Sequence, residues 1–389
     1  MPLFDRTHSK VILSASKRFP CVVLTGPRRS GKTTLLRRAF PKAQYILLED
    51  PYVLARVRAD PRGFLDDLKA PVIFDEIQNA PELFAYVRTR VDASPRRYGR
   101  FFLSGSQEAP LMGGVSESLA GRAAVFQLMP LSVSESPKVA PLVGGFPEAI
   151  RMGRHADEWF RSYVQTYLER DVRAVTGVRD LTTFRRMLAL VASRTGQMLN
   201  KTDIAAPLGV SVPTVTQWLS VLEVTGQLLV VPPYFENFSK RIVKTPKVYL
   251  ADSGLACHLL GITNAKELAR SPFLGAVYEG FVAAELAKAQ INAGKRRELY
   301  WFRDKKGLEV DFVVPRPSGR IALVEAKASR TVGPADTRSL VQLLAAAGPK
   351  VAGAYVVHPA TRTEAGSTIA PGVAAVSLED LLVRLRSSR

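Results

Sequence analysis

The chain has 389 residues, of which 47% are hydrophobic, so it is long enough for two or three domains with sizeable cores. Its two cysteines and four histidines exclude a disulfide framework and argue against a structural zinc site. Lysine and arginine outnumber aspartate and glutamate by 54 to 35, and the net charge of +19 favours a polyanionic partner such as DNA, RNA or an anionic surface. The alternative explanation of this charge is a GC-rich genome that favours arginine, together with a surface that is merely soluble.

The sequence also indicates where the protein is found. No apolar run is long enough to span a membrane, and the first residues lack the apolar core of a signal peptide. Together with the two isolated cysteines, these features predict a cytoplasmic protein.

A glycine-rich loop is the first informative motif. Residues 26–33 read GPRRSGKT, a complete G-x-x-x-x-G-K-[ST] sequence, between an apolar β-branched run and a helix-compatible run. Lys32 is predicted to reach the β- and γ-phosphates of a nucleotide, and Thr33 to hold Mg²⁺. A glycine turn that only joins a strand to a helix is the alternative. The predicted ligand is ATP with Mg²⁺, and the predicted binding residues are Gly26, Pro27, Arg28, Arg29, Ser30, Gly31, Lys32, Thr33 and Thr34.

Two acids follow at the end of the next apolar strand. Residues 71–76 end in Asp75 and Glu76. Asp75 is predicted to hold Mg²⁺, and Glu76 to act as the general base that polarises the attacking water. A solvated helix N-cap is the alternative for an isolated pair of acids, but the phosphate loop upstream favours the catalytic interpretation.

Two further residues are candidates for the same site. Ser106 follows an apolar run at 100–103 and is predicted to hydrogen-bond the γ-phosphate or the attacking water, with a strand-end turn as the alternative. Arg122 is predicted to lie near the nucleotide side of the sheet. There it would stabilise the transferring phosphoryl group, in the same subunit or across an interface. A hydrogen bond to a local carbonyl is the alternative for Arg122.

The order of apolar and helical segments predicts an α/β fold for the first third of the chain. Strands alternate with helices, which indicates a parallel sheet covered by helices on both faces. This core is expected to end near residue 135, and residues 136–195 are expected to form a Pro/Gly-rich linker and a helical lid. The predicted strands lie near 21–25, 44–48, 71–74, 100–103 and 124–128.

Residues 196–260 carry the outline of a winged helix-turn-helix. A short helix opens at Lys201, a glycine turn follows, and a second helix runs from Val212 to Leu222 with Ser211 as its N-cap. The strands 227–231 and 247–250 would form the wing. An α-hairpin used for protein packing is the alternative. The predicted buried stripe is Val215, Trp218, Leu219 and Leu222. The predicted DNA contacts are Thr214, Thr216, Gln217, Lys240, Arg241 and Lys244.

Residues 261–389 contain a helix with Glu279 and a β-hairpin with further charged residues. Alternation along the hairpin sets Glu325 and Lys327 on one face, beside Asp311 on the partner strand. Two carboxylates can hold Mg²⁺, and a neighbouring lysine can activate water for phosphodiester cleavage. The D…E-x-K outline is that of the PD-(D/E)xK nucleases. Glu279, Asp311, Glu325 and Lys327 therefore form a candidate second metal site. A salt-bridged hairpin, or a nuclease fold without activity, is the alternative.

As a set, these motifs resemble the AAA+ ATPases that carry a C-terminal DUF4143 domain. The resemblance implies an AAA+ P-loop core over 1–135, a winged helix over 196–260 and a PD-(D/E)xK nuclease-like domain over 261–389. The motifs are GPRRSGKT at 26–33, FDEIQ at 74–78, LSGS at 103–106, LAGR at 119–122, GGFPE at 144–148, YLERD at 167–171, ADSGL at 251–255, GAVYE at 275–279 and EAK at 325–327.

The sequence therefore predicts a DNA-binding AAA+ ATPase that couples ATP hydrolysis to remodelling or translocation of DNA, with branched or junction DNA as a candidate substrate. A homo-oligomer is expected, with a hexameric ring as one form. The first alternative is an ATP-gated nuclease, which would cut DNA with Mg²⁺ and lose this activity in Asp311→Ala. The second is a nucleotide-dependent regulatory switch that binds a protein partner, with slow ATP turnover that no nucleic acid changes.

Overall fold

A computed structural model of the chain describes residues 4–105, 117–168, 180–234, 244–359 and 367–387. It divides into two compact units. The first unit comprises Met1–Leu131 with the short segments Val224–Gly226 and Ile291–Lys295, and the second comprises Ser132–Glu223, Gln227–Gln290 and Arg296–Arg389.

A parallel five-stranded sheet forms the centre of the first unit, in the order β2-β3-β4-β1-β5. Every predicted strand is present, and the predicted α/β class is confirmed. The central strands β1, β3 and β4 are wholly buried, as expected for apolar runs covered on both faces. The strands are β1 (Cys21–Thr25), β2 (Gln44–Leu47), β3 (Val72–Asp75), β4 (Phe101–Ser104) and β5 (Ala123–Gln127).

Helices connect these strands, and local sequence explains where two of them begin. Asp50 Oδ1 accepts a hydrogen bond from the Tyr52 amide at 2.8 Å, and Asp60 Oδ1 accepts one from the Gly63 amide at 2.9 Å. Each of these caps precedes a proline at the first helical position, where the missing N–H costs nothing. The helices of the unit include Ser9–Ala15, Lys32–Ala39, Pro51–Ala59, Pro61–Asp66 and Leu83–Asp92.

The core of the first unit has two layers, one on each face of the sheet. Cys21 and Val23 of β1 belong to one cluster of buried side chains, and Val22 and Leu24 belong to the other. This alternation follows from the two-residue period of a strand.

The second unit begins with a helical region and a small antiparallel sheet in the order β6-β8-β7. The predicted stripe of Val215, Trp218, Leu219 and Leu222 is buried. The strands are β6 (Gln197–Met198), β7 (Leu228–Val231) and β8 (Lys247–Leu250). The helices include Pro147–Met152, Ala156–Tyr163, Leu181–Ser193, Lys201–Ala205, Val212–Val224, Ser253–Leu259 and Ala265–Arg270.

A six-stranded mixed sheet forms the C-terminal part of the second unit, in the order β13-β14-β12-β11-β10-β9. The predicted hairpin is present, with Phe312 of β10 opposite Val324 of β11. The strands are β9 (Tyr300–Arg303), β10 (Glu309–Pro315), β11 (Ile321–Ala326), β12 (Val351–Val357), β13 (Thr368–Ala370) and β14 (Val373–Val376). The helices include Leu274–Asn292, Arg338–Ala347 and Leu378–Ser387.

Both cysteines are free thiols in the protein interior. Burial raises the pKa of Cys21 and of Cys257 to about 12, so neither thiol is a nucleophile at neutral pH. Among the described helices, none combines the length and the apolarity that crossing a membrane requires.

Candidate functional site

The glycine-rich loop lies at the carboxyl end of β1 and leads into the helix Lys32–Ala39. Gly26 has a φ of +131°, and a Cβ atom there would stand 2.3 Å from the carbonyl oxygen of Leu128. Gly31 has a φ of +98° and directly precedes the helix. Both positions therefore require glycine, and the phosphate-binding motif lies in the strand–loop–helix context that it needs.

Lys32 and Ser30 place buried polar groups inside this loop. The buried Lys32 Nζ donates hydrogen bonds to the carbonyl oxygens of Gly26 and Pro27, both at 2.9 Å. The Ser30 hydroxyl is buried and has no hydrogen-bond partner among the described residues. A buried ammonium and an unsatisfied hydroxyl fit the oxygen atoms of a bound phosphate. Arg6, which sequence reasoning missed, donates from Nη1 to the carbonyl oxygen of Ser30 at 2.8 Å.

Asp75 ends β3 beside the loop. Its Oδ2 accepts hydrogen bonds from Thr33 Oγ1 at 2.7 Å and from the Tyr45 hydroxyl at 2.8 Å, and its Oδ1 accepts one from Ser104 Oγ. No lysine or arginine in the described part of the chain forms an ion pair with this carboxylate. With Thr33, this carboxylate therefore fits a pair of Mg²⁺ ligands.

The parallel register explains why these groups meet. Leu47, Asp75 and Ser104 are paired neighbours at the carboxyl ends of β2, β3 and β4. Tyr45 and Ser104 were not predicted, because nothing in the sequence states the strand order. Burial, followed by the hydrogen bond to Asp75, raises the pKa of the Tyr45 hydroxyl above its usual value. Ser106 lies outside the described residues.

Glu76 follows Asp75 in an unusual conformation. Its φ of +58° is in the left-handed region, which a residue other than glycine adopts rarely. Gln78 Nε2 donates to Glu76 Oε2 at 2.5 Å, and Arg28 Nη1 lies 3.9 Å from the same oxygen and 3.8 Å from Glu49 Oε1. An arginine of the phosphate loop thus lies beside the predicted general base.

A second group of charged side chains lies in the second unit, where the sequence predicts a nuclease-like site. Asp311 Oδ2 accepts a hydrogen bond from the Ala326 amide at 2.9 Å, which joins it to the E-x-K segment. Lys327 Nζ donates to Glu325 Oε1 at 2.9 Å. Glu279 accepts a hydrogen bond from Lys247 Nζ at 3.0 Å, and the same ammonium lies 3.6 Å from Asp311 Oδ1. Lys247 was not predicted as a member of this group.

The carboxylate cluster of the second unit consists of Glu279, Glu309, Asp311 and Glu325. Burial changes the proton affinity of three of them, Glu279, Asp311 and Glu325. Burial and then the charge of Asp311 raise the pKa of Glu279 to about 7 and that of Glu325 to about 8. Burial also raises the pKa of Asp311. For Lys247, burial opposes the charged form, but Glu279, Asp311 and Glu309 outweigh it and raise its pKa above the usual value.

The domains and relatives of the chain now identify its family. The AAA domain matches residues 18–136, a domain of unknown function (DUF8612) matches 138–266, and a domain of unknown function (DUF4143) matches 274–380. The uncharacterized proteins Mb2031c of Mycobacterium bovis and Rv2008c of Mycobacterium tuberculosis are each 37% identical to it over 338 residues, which is 84% of this chain and 74% of theirs. The chain belongs to the AAA+ ATPase family with a C-terminal DUF4143 domain. The resemblance seen in its motifs is thereby confirmed.

Solved structures similar to this AAA+ ATPase include three of low identity. The Walker-type ATPase PABY2304 of Pyrococcus abyssi is 17% identical and has a TM-score of 0.47, over 66% of this chain and 96% of that one. RuvB of Thermotoga maritima, a Holliday junction branch migration motor, is 17% identical and has a TM-score of 0.31, over 59% of this chain and 90% of that one. AMPPCP-bound DnaA of Aquifex aeolicus is 14% identical, with a TM-score of 0.30 over 55% and 85%. These scores are too low to support a comparison of function.

The position expected for Arg122 in this AAA+ ATPase is wrong. Arg122 precedes β5, which runs parallel to β1 with Ala123 opposite Cys21. Arg122 therefore lies at the amino-terminal ends of the strands, whereas Gly26 follows the carboxyl end of β1. Its guanidinium binds Asp92 through Nε at 2.6 Å and Nη2 at 3.0 Å, and its Nη1 donates to the carbonyl oxygen of Ala120 at 3.1 Å. The alternative of a local carbonyl contact is therefore the observed one. A role for Arg122 across a subunit interface stays a prediction.

The predicted DNA-contacting residues differ in their surroundings. Gln217 and Lys244 are exposed, whereas Thr214 is partly buried and its hydroxyl lies 2.8 Å from Ser211 Oγ. Thr216 lines a cavity of about 680 Å³ between the helix Val212–Val224 and the small sheet. Lys240 and Arg241 lie outside the described residues. The helix Val212–Val224 contains no lysine or arginine, so phosphate contacts would have to come from residues around it.

Proposed function

We propose that the chain is a Mg²⁺-dependent ATP hydrolase whose turnover is coupled to DNA. The observation that carries the proposal is the hydrogen bond between Thr33 Oγ1, at the end of the phosphate-binding motif, and Asp75 Oδ2, at the end of β3. It joins the two groups that hold Mg²⁺ in P-loop ATPases.

The residues of the site have separate roles in this proposal. Mg²⁺ held by Thr33 and Asp75 would neutralise charge on the β- and γ-phosphates. Lys32 would exchange its bonds to two loop carbonyls for bonds to phosphate oxygens. Glu76 would accept a proton from the water that attacks the γ-phosphorus, the bond to the β-phosphate oxygen would break, and ADP and phosphate would leave.

The coupling to DNA rests on two observations. The net charge of +19 attracts a polyanion, and we interpret the helix pair Lys201–Ala205 and Val212–Val224 with its small sheet as a winged helix-turn-helix. Exposed Gln217 would contact bases, while Lys244 would contact phosphates. Remodelling or translocation of DNA, branched or junction DNA included, is the work that we propose for ATP hydrolysis.

We further propose that the protein works as a homo-oligomer, with a hexameric ring as one form. AAA+ ATPases can complete their site with an arginine from a neighbour, and Arg122 lies too far from its own loop to serve there. A monomer with full ATP turnover at high dilution would contradict this part of the proposal.

The test compares ATP turnover by the wild type and by Glu76→Gln without DNA and with single strands, duplex or a four-way junction, at one low salt concentration. Glu82→Gln, which changes a nearby glutamate outside the site, is the matched control. Stimulation by one form of DNA in the wild type and the control, but not in Glu76→Gln, would support the proposal and name the substrate. Turnover that no DNA changes would favour the protein-binding switch, and absence of turnover would overturn the ATPase proposal itself.

A further inference from the structure

The carboxylate cluster of the second unit surrounds a lysine. Lys247 Nζ lies 2.7 Å from Glu309 Oε1, 3.0 Å from Glu279 Oε1 and 3.6 Å from Asp311 Oδ1. Its side chain is only 5% exposed. The ammonium is thus within hydrogen-bond or ion-pair distance of three carboxylates at once, a position that a bound metal ion usually occupies.

Lys247 is held in this position by its own strand and by an aromatic ring. It belongs to β8, and Tyr249, two residues along and on the same face, donates to the same Glu279 Oε1 at 2.6 Å. Lys247 Nζ also lies 5.2 Å from the centre of the buried Trp301 ring, where an aromatic face attracts a cation. Two alternate residues of β8 therefore hold Glu279, and the ring stabilises the ammonium.

The carboxylate oxygens have few positions left for a divalent cation. Glu279 Oε1 accepts two hydrogen bonds, Glu309 Oε2 faces Arg303 Nη1 at 3.4 Å, and Asp311 Oδ2 accepts the Ala326 amide. Glu325 Oε2 is the buried carboxylate oxygen of the described residues that has no hydrogen-bond partner. Mg²⁺ needs an octahedral space for its ligands, which are one or two carboxylates and several waters, and the Lys247 ammonium lies where that ion and its waters would have to lie.

Ligand grouping and charge also argue against a metal in the cluster. Among the described residues, no group of three or more His, Cys, Asp or Glu side chains is arranged to hold a metal. Lys247, Lys327 and Arg303 already supply three positive charges to the four carboxylates of the cluster. The residues present therefore do not fit the metal that a PD-(D/E)xK nuclease requires.

We infer that the Lys247 ammonium is the resident cation of the carboxylate cluster and excludes a divalent metal from it. Lys247 comes from the segment matched by DUF8612, whereas the carboxylates belong to the segment matched by DUF4143. The lysine thus joins two segments of the second unit. A metal could enter only if β8 withdrew this side chain, so the nuclease-like fold serves here as a metal-free structural module.

The experiment measures binding of Mn²⁺ without nucleotide, followed by the loss of the free-ion electron paramagnetic resonance signal. All proteins carry Asp75→Asn, which removes the candidate metal ligand of the ATP site. Lys247→Met removes the ammonium at similar volume, and Lys247→Arg keeps a cation. Lys288→Met is the matched control, because Lys288 is another buried lysine of the same unit, bonded to Glu285 at 2.8 Å.

We expect the background protein, Lys247→Arg and Lys288→Met to bind no Mn²⁺. Lys247→Met should bind one ion and lose it when Asp311→Asn is added. Binding by the background protein that Asp311→Asn abolishes would overturn the inference. Absence of binding in a folded Lys247→Met protein would overturn it too, because Lys247 would then not be what excludes the ion.

A second measurement does not depend on the folding of Lys247→Met. The thermal midpoint of the Asp75→Asn protein, with its native lysine, is compared in 10-fold steps of Mg²⁺ or Mn²⁺ and in EDTA. A ligand that binds only the folded state raises this midpoint with concentration. We expect no rise, and a rise that Asp311→Asn removes would contradict the inference.

Discussion

Both candidate sites of this protein contain buried acids, but the acids of the two sites differ in the groups that contact them. In the first unit, Asp75 is held by the hydroxyl groups of Thr33, Tyr45 and Ser104, which are neutral. In the second unit, the carboxylate cluster holds the ammonium of Lys247.

The difference explains why similar residues lead to different chemistry. Hydrogen bonds from neutral hydroxyl groups hold a carboxylate in place without cancelling its charge, so the carboxylate still attracts a metal cation. A buried lysine cancels the charge of the carboxylates and also occupies the space that a metal ion would need. Its removal leaves carboxylates without a compensating charge in a low-dielectric interior. A set of acids in the right fold therefore does not by itself make a metal site.

The largest expected effect is on ATP turnover at the site in the first unit. Glu76→Gln should lower the rate of ATP turnover at least about 100-fold, because an amide cannot accept the proton that a general base removes. ATP binding should persist, since Glu76 is not a loop residue. Turnover at saturating ATP is measured together with binding of a fluorescent nucleotide. Glu82→Gln should retain wild-type turnover, and equal loss in both variants would remove Glu76 from its proposed role.

The next largest effect is expected on stability, when Lys247 of the carboxylate cluster is replaced. Lys247→Met should lower the free energy of unfolding by about 3–5 kcal/mol, because it leaves buried carboxylates without their cation. Urea unfolding followed by circular dichroism measures the change. The control Lys266→Met removes an exposed lysine of the same unit and should have little effect. Equal stability of Lys247→Met and the wild type would show that the ammonium is not a structural cation.

The raised pKa values of Glu279 and Glu325 predict a dependence on pH. Each folded-state pKa, about 7 and about 8, exceeds the usual value of 4.5, so the folded protein binds more protons than the unfolded chain between these limits. The contribution of these groups is complete below pH 4.5 and is lost as the pH rises to 8, by on the order of 1.4 kcal/mol per pH unit for each proton.

Glu325→Gln removes one of the two groups. Its unfolding free energy should therefore fall less steeply with pH than that of the wild type when both are measured by urea unfolding at pH 5, 6, 7 and 8. The exposed Glu379→Gln is the control. A wild-type curve that rises across this range relative to Glu325→Gln would contradict the sign.

A smaller effect is expected from the hydroxyl groups that hold Asp75. Tyr45→Phe removes one hydrogen bond to the Asp75 carboxylate and should lower the free energy of unfolding by about 1.5–3 kcal/mol. Tyr52→Phe changes a tyrosine that is 72% exposed and should have no measurable effect. If the two variants lose equal stability, the Tyr45 hydroxyl does not help to hold Asp75.

The smallest effect is expected for Arg122→Ala. Within one chain its partners are Asp92 and the Ala120 carbonyl, so ATP turnover by the monomer should not change. Turnover is compared at low and high protein concentration. A decrease of about 1,000-fold at high concentration only, which is the size known for arginine fingers, would show that Arg122 completes the site of a neighbouring subunit.

The sequence by itself determined the phosphate loop, the positions of the strands and many of the charged residues. Those residues are Asp75 and Glu76 in the first unit, and Glu279, Asp311, Glu325 and Lys327 in the second. The loop motif has a local geometry of its own, because Gly26, Gly31 and Lys32 act within eight consecutive residues. The strands were predictable because continuous apolar runs such as 21–25 are typical of buried parallel strands. The E-x-K hairpin followed from two-residue alternation, which needs no knowledge of distant segments.

Only the tertiary structure decided which groups contact the acids. Tyr45 and Ser104 reach Asp75 because β2, β3 and β4 are neighbours in the sheet, and strand order is not written in any one segment. Arg122 lies at the amino-terminal ends of the strands, away from the phosphate loop, because β5 is parallel to β1. Lys247 reaches Glu279, Glu309 and Asp311 from another strand far along the chain. Charges interact through space, so the partner of a buried acid follows from packing between distant segments rather than from spacing along the sequence.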